Sequence, residues 1–302
     1  MSRGTRMLVT GAAGAVGSYV PQVFTDWDLL LTDIVGDFQP LDVADPEAVR
    51  TAVRTAQPDV VLHLAAATDV DACEKDPDLA FRANAVGTQN VALACRETDT
   101  VLVYISTAGV FGGEKLEPYT EFDEPGPANV YGESKLAGER AVTALVPRSF
   151  ITRAGWMIGG GHRDKKFVGK IVDLVNEGQT HLRAVDDKIG TPTYAPDMLK
   201  GIQRLLATDV YGLYHLANGG AVSRYEIALA IVDALGRDDV TVEPVSSAHF
   251  PLPAPRARSE AMRNYRLELL GLEPQRPWRD ALGHYLQHEL VPSRAAERTR
   301  VT

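Results

Sequence analysis

Cysteine and long apolar segments are nearly absent from this sequence. The chain has 302 residues and only two cysteines, Cys73 and Cys95, which excludes a disulfide-stabilised scaffold and a zinc site made of four cysteines. No segment has the roughly 18 unbroken apolar residues of a membrane-spanning helix. The apolar run at 7–10 is too short for the core of a signal peptide. We therefore expect a cytoplasmic protein that makes no membrane contact.

Positive charge is also in short supply. The chain has 31 Lys and Arg residues against 40 Asp and Glu residues, a formal net charge of −9, which argues against the broad basic surface that binds nucleic acid. Hydrophobic residues make up 45% of the chain and charged residues 24%, and these proportions exclude a disordered or fibrous chain. The length predicts one large or two medium-sized domains.

Short apolar runs alternate with helical segments through the first half of the chain. Runs that are apolar throughout are typical of strands covered on both faces. Their alternation with helices predicts right-handed βαβ units and a parallel, doubly wound α/β sheet. The predicted strands are 7–10, 29–32, 60–64, 101–105 and 150–153, and the predicted helices between them are 15–25, 46–56, 78–97 and 130–146.

The pattern changes after residue 158, where three consecutive glycines at 159–161 predict a flexible break. Later strands are predicted at 181–185 and 212–216, later helices at 167–177, 196–207, 223–236 and 277–289, and the polar tail after them is predicted to be frayed. We assign residues 1–158 with about 186–217 to one domain. Residues of about 159–185 with 218–302 form a second, smaller domain in this prediction.

A glycine-rich turn joins the first predicted strand to the first predicted helix. Gly11, Gly14 and Gly17 are spaced three residues apart. Without Cβ atoms they permit a tight turn, the close approach of a pyrophosphate and packing of the helix on the strand. The helix start offers N–H groups and a partial positive charge to that pyrophosphate. After a strand and before a helix, this spacing is typical of a dinucleotide site in a Rossmann-type fold.

Asp33, at the end of the second predicted strand, bears on the choice of cofactor. A carboxylate here accepts hydrogen bonds from the adenosine ribose and repels the 2′-phosphate of NADP(H). No Arg or Lys follows within the next several residues, so we expect NAD(P)H as the cofactor with a preference for NADH. The alternative is that Asp33 only caps the strand end. Asp42 and Val43, after a third short element, are candidates for contact with the adenine.

Tyr131 and Lys135 lie at the start of the predicted helix 130–146 and share one helix face. An ammonium and a nicotinamide cation near a tyrosine lower its pKa and let it exchange a proton with a carbonyl or alcohol oxygen. Thr107 follows the fourth strand directly and supplies a hydroxyl to hold that oxygen at the ligand-binding edge of the sheet. The alternative is an unremarkable surface pair. His63, inside a strand, is predicted to be a packed histidine.

Four motifs in this order resemble the extended short-chain dehydrogenase/reductase family. They are TGAAGAVG at 10–17, VVLHLAA at 60–66, STAGVFGG at 106–113 and YGESK at 131–135. Further segments, at 69–77, 84–88, 129–133, 187–193 and 212–216, are similar to the dTDP-4-dehydrorhamnose reductases within that family. The resemblance runs from about residue 7 to residue 288.

The resemblance implies hydride transfer from NAD(P)H to the 4-keto group of a nucleotide-linked 6-deoxy sugar, with dTDP as the expected nucleotide. Tyr131 is then the proton donor, Lys135 binds the nicotinamide ribose and lowers the tyrosine pKa, and Thr107 orients the carbonyl. The predicted cofactor contacts are Gly11, Ala13, Gly14, Ala15, Val16, Gly17, Asp33, Asp42, Val43, Leu64, Ala65, Ala66, Asn84, Ser106, Tyr131 and Lys135. The predicted sugar-nucleotide contacts are Thr107, Val110, Trp156, Lys166 and Arg256. Trp156 as core packing, and residues 163–166 as a solvated loop, are the alternatives.

The sequence departs from the reductase pattern at two places. Ala108 and Gly109 stand where the family has Asp and Tyr, which leaves the hexose open, and Ala257 follows Arg256 in place of a proline. The metal-mediated dimer of the family is not carried over because its ligands cannot be placed, so we predict no metal and leave a homodimer open. An epimerase and a non-catalytic NAD(P)-binding regulatory subunit remain alternatives. A dehydratase is disfavoured because Ala108 and Gly109 supply no acid.

Overall fold

The computed structural model describes residues 4–115 and 117–301, which form a central parallel sheet with flanking helices and a second lobe. The strands are β1 Arg6–Thr10, β2 Asp28–Asp33, β3 Gln39–Pro40, β4 Val60–His63, β5 Val101–Thr107, β6 Ser149–Ala154, β7 Trp156–Ile158, β8 His181–Val185, β9 Ile189–Gly190, β10 Pro192–Tyr194, β11 Gly212–His215, β12 Val222–Ser223, β13 Thr241–Val245 and β14 Ser259–Glu260. The helices are α1 Val20–Val23, α2 Pro46–Ala56, α3 Val70–Lys75, α4 Pro77–Phe81, α5 Gly87–Thr98, α6 Val130–Leu145, α7 Phe167–Asn176, α8 Ala195–Leu206, α9 Arg224–Ala234, α10 Tyr265–Leu269, α11 Trp278–Tyr285 and α12 Val291–Val301.

The central sheet has the strand order β11-β6-β5-β4-β1-β2-β3, and each neighbouring pair is parallel. The chain builds outward from β1 to β3 and then returns to β4 on the other side of β1, so the order reverses between β1 and β4. In open parallel sheets the crevice at the carboxyl ends of the strands beside such a reversal is where ligands bind. The predicted doubly wound α/β fold is confirmed.

Alternate residues of the central strands enter two different cores. Met7, Leu62 and Val103 pack into a cluster on one face of the sheet, whereas Leu8 and Leu102 pack into a second cluster on the other face. Because successive side chains of a strand point to opposite faces, a strand that is apolar throughout must be covered on both sides. This is why the central strands show no polar alternation in the sequence.

The helix predicted at 15–25 is present but shorter. The chain forms a 3₁₀ turn at Gly17–Tyr19 and then the four-residue α1, which ends at Val23. Pro21 lies in the first turn of α1 and has no N–H to continue a hydrogen-bond ladder from the preceding turn. The helix predicted at 78–97 is present as α4, a π-helical turn at Arg82–Val86 and α5.

The second lobe has its own core. Val172 of α7, Ile231 of α9 and Tyr285 of α11 have no exposed surface and pack in one cluster, apart from the two that cover the central sheet. Three small sheets contribute to this lobe, with the orders β10-β7, β12-β9-β14 and β13-β8. The exact division of the chain into two domains stays a prediction.

The C-terminal tail is helical, so the prediction of a frayed end is wrong. α11 continues through a π-helical turn at Leu286–Leu290 into α12. Arg294 holds this segment: its Nε lies 2.8 Å from Asp173, and its Nη2 donates to the carbonyl of Asp164 at 2.9 Å. No helix among the described residues is long and apolar enough to cross a bilayer.

The core of the central sheet offers a direct test of the packing. Leu62 on β4 has no exposed surface, so we expect Leu62→Ala to lower the free energy of unfolding by about 2–5 kcal/mol through lost burial and a residual cavity. Leu269, 59% exposed at the end of α10, is the matched control, and Leu269→Ala is expected to change stability little. Urea unfolding followed by circular dichroism measures both, and equal losses would contradict the assignment of the core.

Candidate active site

The glycine-rich turn after β1 is crowded by backbone. Gly11 has a φ of +74°, and a Cβ there would lie 2.5 Å from the amide nitrogen of Ala65. A Cβ at Gly17 would overlap the carbonyl oxygen of Ala12. Both positions therefore exclude every larger side chain. The amide of Gly14 donates to the carbonyl of Gly11 at 3.1 Å, which closes the turn.

The turn presents backbone donors beside an acidic side chain. The N–H groups of Ala15 and Val16 make no hydrogen bond within the described part of the chain. The Asp33 carboxylate accepts from the amide of Ala13 at 2.9 Å and from that of Ile34 at 2.7 Å. Unpaired donors in a side-chain-free cradle fit the pyrophosphate of a dinucleotide, and a fixed carboxylate fits a ribose. Because α1 is so short, backbone amides contribute more here than a helix dipole.

The other predicted cofactor contacts differ in how far they are exposed. Leu64, Ala65 and Ala66 follow β4 and are half-buried beside the turn, and the amide of Ala65 donates to Thr10 Oγ1 at 3.3 Å. Asp42 is exposed, and its carboxylate accepts from the amide of Ala44 at 2.9 Å. Val43 is buried, so its side chain is a packing contact in this structure.

Asn84, Ser106 and Val110 serve the interior in this structure, contrary to their predicted contacts with ligands. The Asn84 amide bonds both the N–H and the carbonyl of Ala67, at 2.8 and 2.9 Å, and the hydroxyl of Ser134 at 3.0 Å. Ser106 donates to the carboxylate of Glu139, which forms a buried ion pair with Arg153. Val110 has no exposed surface because the 3₁₀ turn after β5 folds it into a small core. Asn84 lies in the π-helical turn Arg82–Val86, Ser106 near the end of β5 and Val110 in the 3₁₀ turn after it, and position in the sequence does not give side-chain direction.

Thr107, Tyr131 and Lys135 converge where β5 meets α6. Thr107 is the last residue of β5, and Tyr131 lies in the first turn of α6, where Asn129 caps the helix by accepting from the amide of Gly132 at 2.9 Å. Lys135 Nζ donates to the carbonyl of Ile105 at 2.7 Å. A hydroxyl, a phenol and an ammonium thus meet at the carboxyl edge of the sheet, the edge that also carries the glycine-rich turn two strands away.

Burial dominates the pKa of Tyr131, and the expected lowering by Lys135 and a nicotinamide cation stays a prediction. Burial raises the pKa of Tyr131 to about 12, and interaction with the Thr107 side chain opposes the rise. Lys135 is not among the groups that shift it; its Nζ donates to the Ile105 carbonyl and lies over the Tyr104 ring, 4.3 Å from the centroid. Burial lowers the pKa of Lys135 to about 7. At neutral pH Tyr131 is therefore a protonated phenol, the form that donates a proton.

A group of charged residues from the second lobe faces this site and was missed in the sequence. Glu260 Oε2 accepts from Trp156 Nε1 at 3.0 Å, and the Arg224 guanidinium lies 3.9 Å from the centroid of a Trp156 ring. The negative charge of Glu260 raises the pKa of Tyr131, so the two side chains lie near each other, and the space around them is the cleft of this site. Arg224 and Lys188 in turn favour the ionised form of Glu260 against its burial. These residues come from three separate segments, and no spacing in the sequence joins them.

The predicted basic contacts lie around the same cleft. Lys166 is exposed, yet its pKa is lowered by the surrounding cleft walls and by the charge of Arg224. Arg256 Nη2 pairs with Asp71 at 3.0 Å, which joins the loop before β14 to α3. Arg163 donates to the carbonyl of Ala13 at 3.3 Å and so links the second lobe to the glycine-rich turn.

His63 is 1% exposed and bonds the hydroxyls of Thr10 and Thr88 at 2.7 and 3.1 Å, so the prediction of a packed histidine is confirmed. Within 4–115 and 117–301, no group of three or more His, Cys, Asp or Glu side chains is placed to hold a metal ion.

Comparisons with known proteins agree with this geometry. The family model described as "RmlD substrate binding domain" matches residues 5–291. A dTDP-4-dehydrorhamnose reductase of Mycobacterium tuberculosis is 38% identical over 286 residues, which cover 93% of this chain and 92% of that protein.

Two crystal structures are similar throughout. That of a dTDP-4-dehydrorhamnose reductase from Clostridium acetobutylicum has a TM-score of 0.88 and 36% identity and covers 93% of this chain and 98% of its own. That of the Bacillus anthracis reductase, in complex with NADP, has a TM-score of 0.88 and 35% identity and covers 94% of this chain and 99% of its own. The predicted resemblance is confirmed.

The glycine-rich turn gives the first test of the site. We expect Gly11→Ala to weaken binding of the reduced cofactor at least tenfold, because the methyl group meets the Ala65 amide and the φ of +74° strains any residue with a Cβ. Gly283→Ala is the control, since a Cβ there meets nothing within 4 Å. Cofactor fluorescence titration measures both variants. Unchanged affinity in Gly11→Ala would contradict the assignment of the turn.

Proposed function

The chain belongs to the RmlD substrate binding domain family, and from this premise we propose that it reduces the 4-keto group of a dTDP-linked 4-keto-6-deoxy sugar with a nicotinamide cofactor. The observation that carries the proposal is the meeting of Thr107, Tyr131 and Lys135 at the sheet edge that also carries the glycine-rich turn. Neither a binding module nor a structural protein needs a half-buried, protonated phenol at the same sheet edge as a dinucleotide cradle.

The reaction follows from the charge states of these residues. The bound cofactor supplies a hydride, which adds to the carbonyl carbon. Tyr131, protonated at neutral pH because burial raises its pKa, gives its proton to the carbonyl oxygen as negative charge develops there. Thr107 is placed to hold that oxygen, and Lys135 is placed to bind the nicotinamide ribose. The products are an alcohol and the oxidised cofactor.

Asp33 supports NADH as the preferred cofactor of this chain. Its carboxylate accepts three backbone N–H groups, from Ala13, Ile34 and Val35, so its position and charge are fixed at the strand end. The side chains of Ile34 and Val35 are exposed and apolar, and neither can neutralise a 2′-phosphate. The related Bacillus anthracis structure contains NADP, so this preference is a point on which family members differ in our proposal.

The second lobe supplies the groups that the sugar nucleotide needs. Arg224, Lys188 and Lys166 surround the cleft beside Glu260 and fit a diphosphate. The Trp156 ring is covered by the Arg224 guanidinium, 3.9 Å from its centroid, and packs against the core of the second lobe, so its contact with the sugar stays a prediction. We therefore propose that the central sheet, within residues 1–158 and about 186–217, holds the cofactor and that the second lobe holds the sugar nucleotide, with Trp156 and Lys188 of the first set of residues also on the sugar-nucleotide side.

The alternatives differ from this proposal in what happens to the cofactor. A regulatory subunit binds NAD(P) without turnover, and an epimerase returns its cofactor to the starting redox state. The presence of Thr107, Tyr131 and Lys135 together at one site favours catalytic turnover. Net, substrate-dependent loss of NADH separates the reductase from both alternatives.

Replacing the proton donor tests the mechanism. We expect Tyr131→Phe to lower kcat by about 10²–10⁴-fold, because the carbonyl oxygen loses its positioned acid, while affinity for NADH stays near that of the unmodified protein. Tyr211→Phe is the matched control, since Tyr211 donates to Asp209 outside the cleft. NADH absorbance with dTDP-4-keto-6-deoxyhexose gives kcat, and full activity in Tyr131→Phe would refute the role of the phenol.

The charge of Asp33 tests the cofactor preference. Asp33→Asn keeps an oxygen acceptor for the turn but removes the charge, so we expect the ratio of kcat/KM for NADPH to that for NADH to rise about tenfold, the equivalent of ~1.4 kcal/mol of removed repulsion. Ile34→Ala, a neighbouring change without charge, is the control. An unchanged ratio in Asp33→Asn would mean that Asp33 only shapes the turn.

A further inference from the structure

A buried ion pair joins α6 to the neighbouring strand β6. Arg153 of β6 donates to Glu139 of α6 through Nε at 2.8 Å and through Nη2 at 2.7 Å. Ser106 of β5 donates to the same carboxylate at 2.5 Å. Glu139 is 5% exposed, Arg153 2% and Ser106 3%. The carboxylate is thus fixed by three donors, and the reaction proposed above does not use it.

Glu139 continues the functional face of α6. Tyr131, Lys135 and Glu139 follow one another at intervals of four residues, so they lie along one side of the helix. Lys135 is 3% exposed, and its direct contacts are a carbonyl and an aromatic ring, both uncharged. A buried ammonium without a nearby anion loses its proton readily. Glu139 is the anion on this face.

The same network fixes the backbone around Lys135. Three successive residues of β5 bond to α6: Tyr104 Oη donates to the carbonyl of Lys135 at 3.2 Å, the carbonyl of Ile105 accepts from Lys135 Nζ at 2.7 Å, and Ser106 donates to Glu139. Two of these bonds hold Lys135 itself. The third ties the next turn of the helix to the same strand, so the register of α6 on β5 is set at both turns.

We propose that Glu139 is a positioning residue for Lys135: held by Arg153 and Ser106, its carboxylate keeps the Lys135 ammonium charged and seated against β5. The kinetic consequence of this role rests on the proposed reductase function. The electrostatic role itself does not depend on any substrate.

Among the groups that shift the pKa of Lys135, Glu139 is the one that favours the charged ammonium. Burial lowers the pKa of Lys135 to about 7, and Glu139 opposes that fall. His63 of β4 is neutral near pH 7 because burial and the Lys135 charge lower its pKa to about 3. Burial raises the pKa values of Tyr104 and Tyr131, so both phenols are neutral as well.

Arg153 of β6 is the remaining charged residue near Lys135, and its guanidinium bonds to Glu139. Its two bonds to the carboxylate orient Glu139, and it is not among the groups that shift the Lys135 pKa. Removal of the Glu139 charge therefore takes away the interaction that favours the ammonium. Lys135 then releases its proton at a lower pH.

The test measures the titration of Lys135 directly. Protein with ¹³C-labelled lysine is titrated by NMR without cofactor, and Lys135→Arg identifies the Lys135 signal by its loss. We expect Glu139→Gln to lower the titration midpoint by about one pH unit and Glu139→Asp, which keeps the charge, to restore most of the shift. An unchanged midpoint in Glu139→Gln would overturn the proposal.

Two further variants keep the test decisive if Glu139→Gln fails to fold. That change leaves Arg153 buried without its partner, a destabilising arrangement, whereas Glu139→Gln with Arg153→Met removes both charges. The double variant is expected to fold and still to titrate below the unmodified protein. Ser106→Ala keeps both charges and is expected to leave the midpoint unchanged; a shift as large as that of Glu139→Gln would overturn the role of charge.

The pH dependence of kcat/KM gives a second, independent test of the role of Glu139. In Glu139→Gln we expect kcat/KM to fall more near pH 8 than near pH 6, because Lys135 loses its charge earlier as the pH rises. A purely structural role would lower kcat/KM by the same factor at every pH, which would overturn the proposal. If the unmodified protein shows no turnover, the reductase function fails, while the NMR titration still decides the role of Glu139.

Discussion

The site depends on how closely α6 lies against β5. Two glycines make that approach possible: a Cβ at Gly138 would lie 2.5 Å from the hydroxyl of Tyr104, and one at Gly132 would overlap the carbonyl of Gly109. With these side chains absent, Lys135 reaches the carbonyl of Ile105 and Tyr131 stands beside the end of β5. The buried pair of Glu139 and Arg153 then holds the second turn of the contact. The catalytic geometry is therefore a property of one helix–strand interface, which the rest of the sheet supports.

The surroundings of Tyr131 keep its phenol protonated at neutral pH. Burial without a compensating cation keeps Tyr131 protonated, and the negative charge of Glu260 acts in the same direction. This favours proton donation to a carbonyl oxygen, as reduction requires, over proton abstraction from an alcohol. A bound nicotinamide cation would add positive charge and lower the phenol pKa. Proton donation is then easiest when the carbonyl oxygen has acquired its negative charge.

The sequence predicted the central sheet well because its signals are local. Apolar strands, a glycine turn and a Tyr–Lys pair four residues apart each depend on a few neighbouring residues. The prediction failed where tertiary contacts decide. Asn84, in a helical turn, and Ser106, near the end of β5, were expected to touch the cofactor but bond to interior groups, because position in the sequence does not reveal side-chain direction. Glu260 and Arg224 were missed because small sheets of the second lobe bring distant segments together.

One labelling experiment tests the central claim most directly. The protein is incubated with dTDP-4-keto-6-deoxyhexose and NADH that carries deuterium at both C4 positions of the nicotinamide, and the sugar product is analysed by NMR. The account predicts oxidation of one NADH per sugar and a single deuterium on C4 of the product. A product without deuterium, deuterium at another carbon, or bound NADH that is never consumed would contradict it.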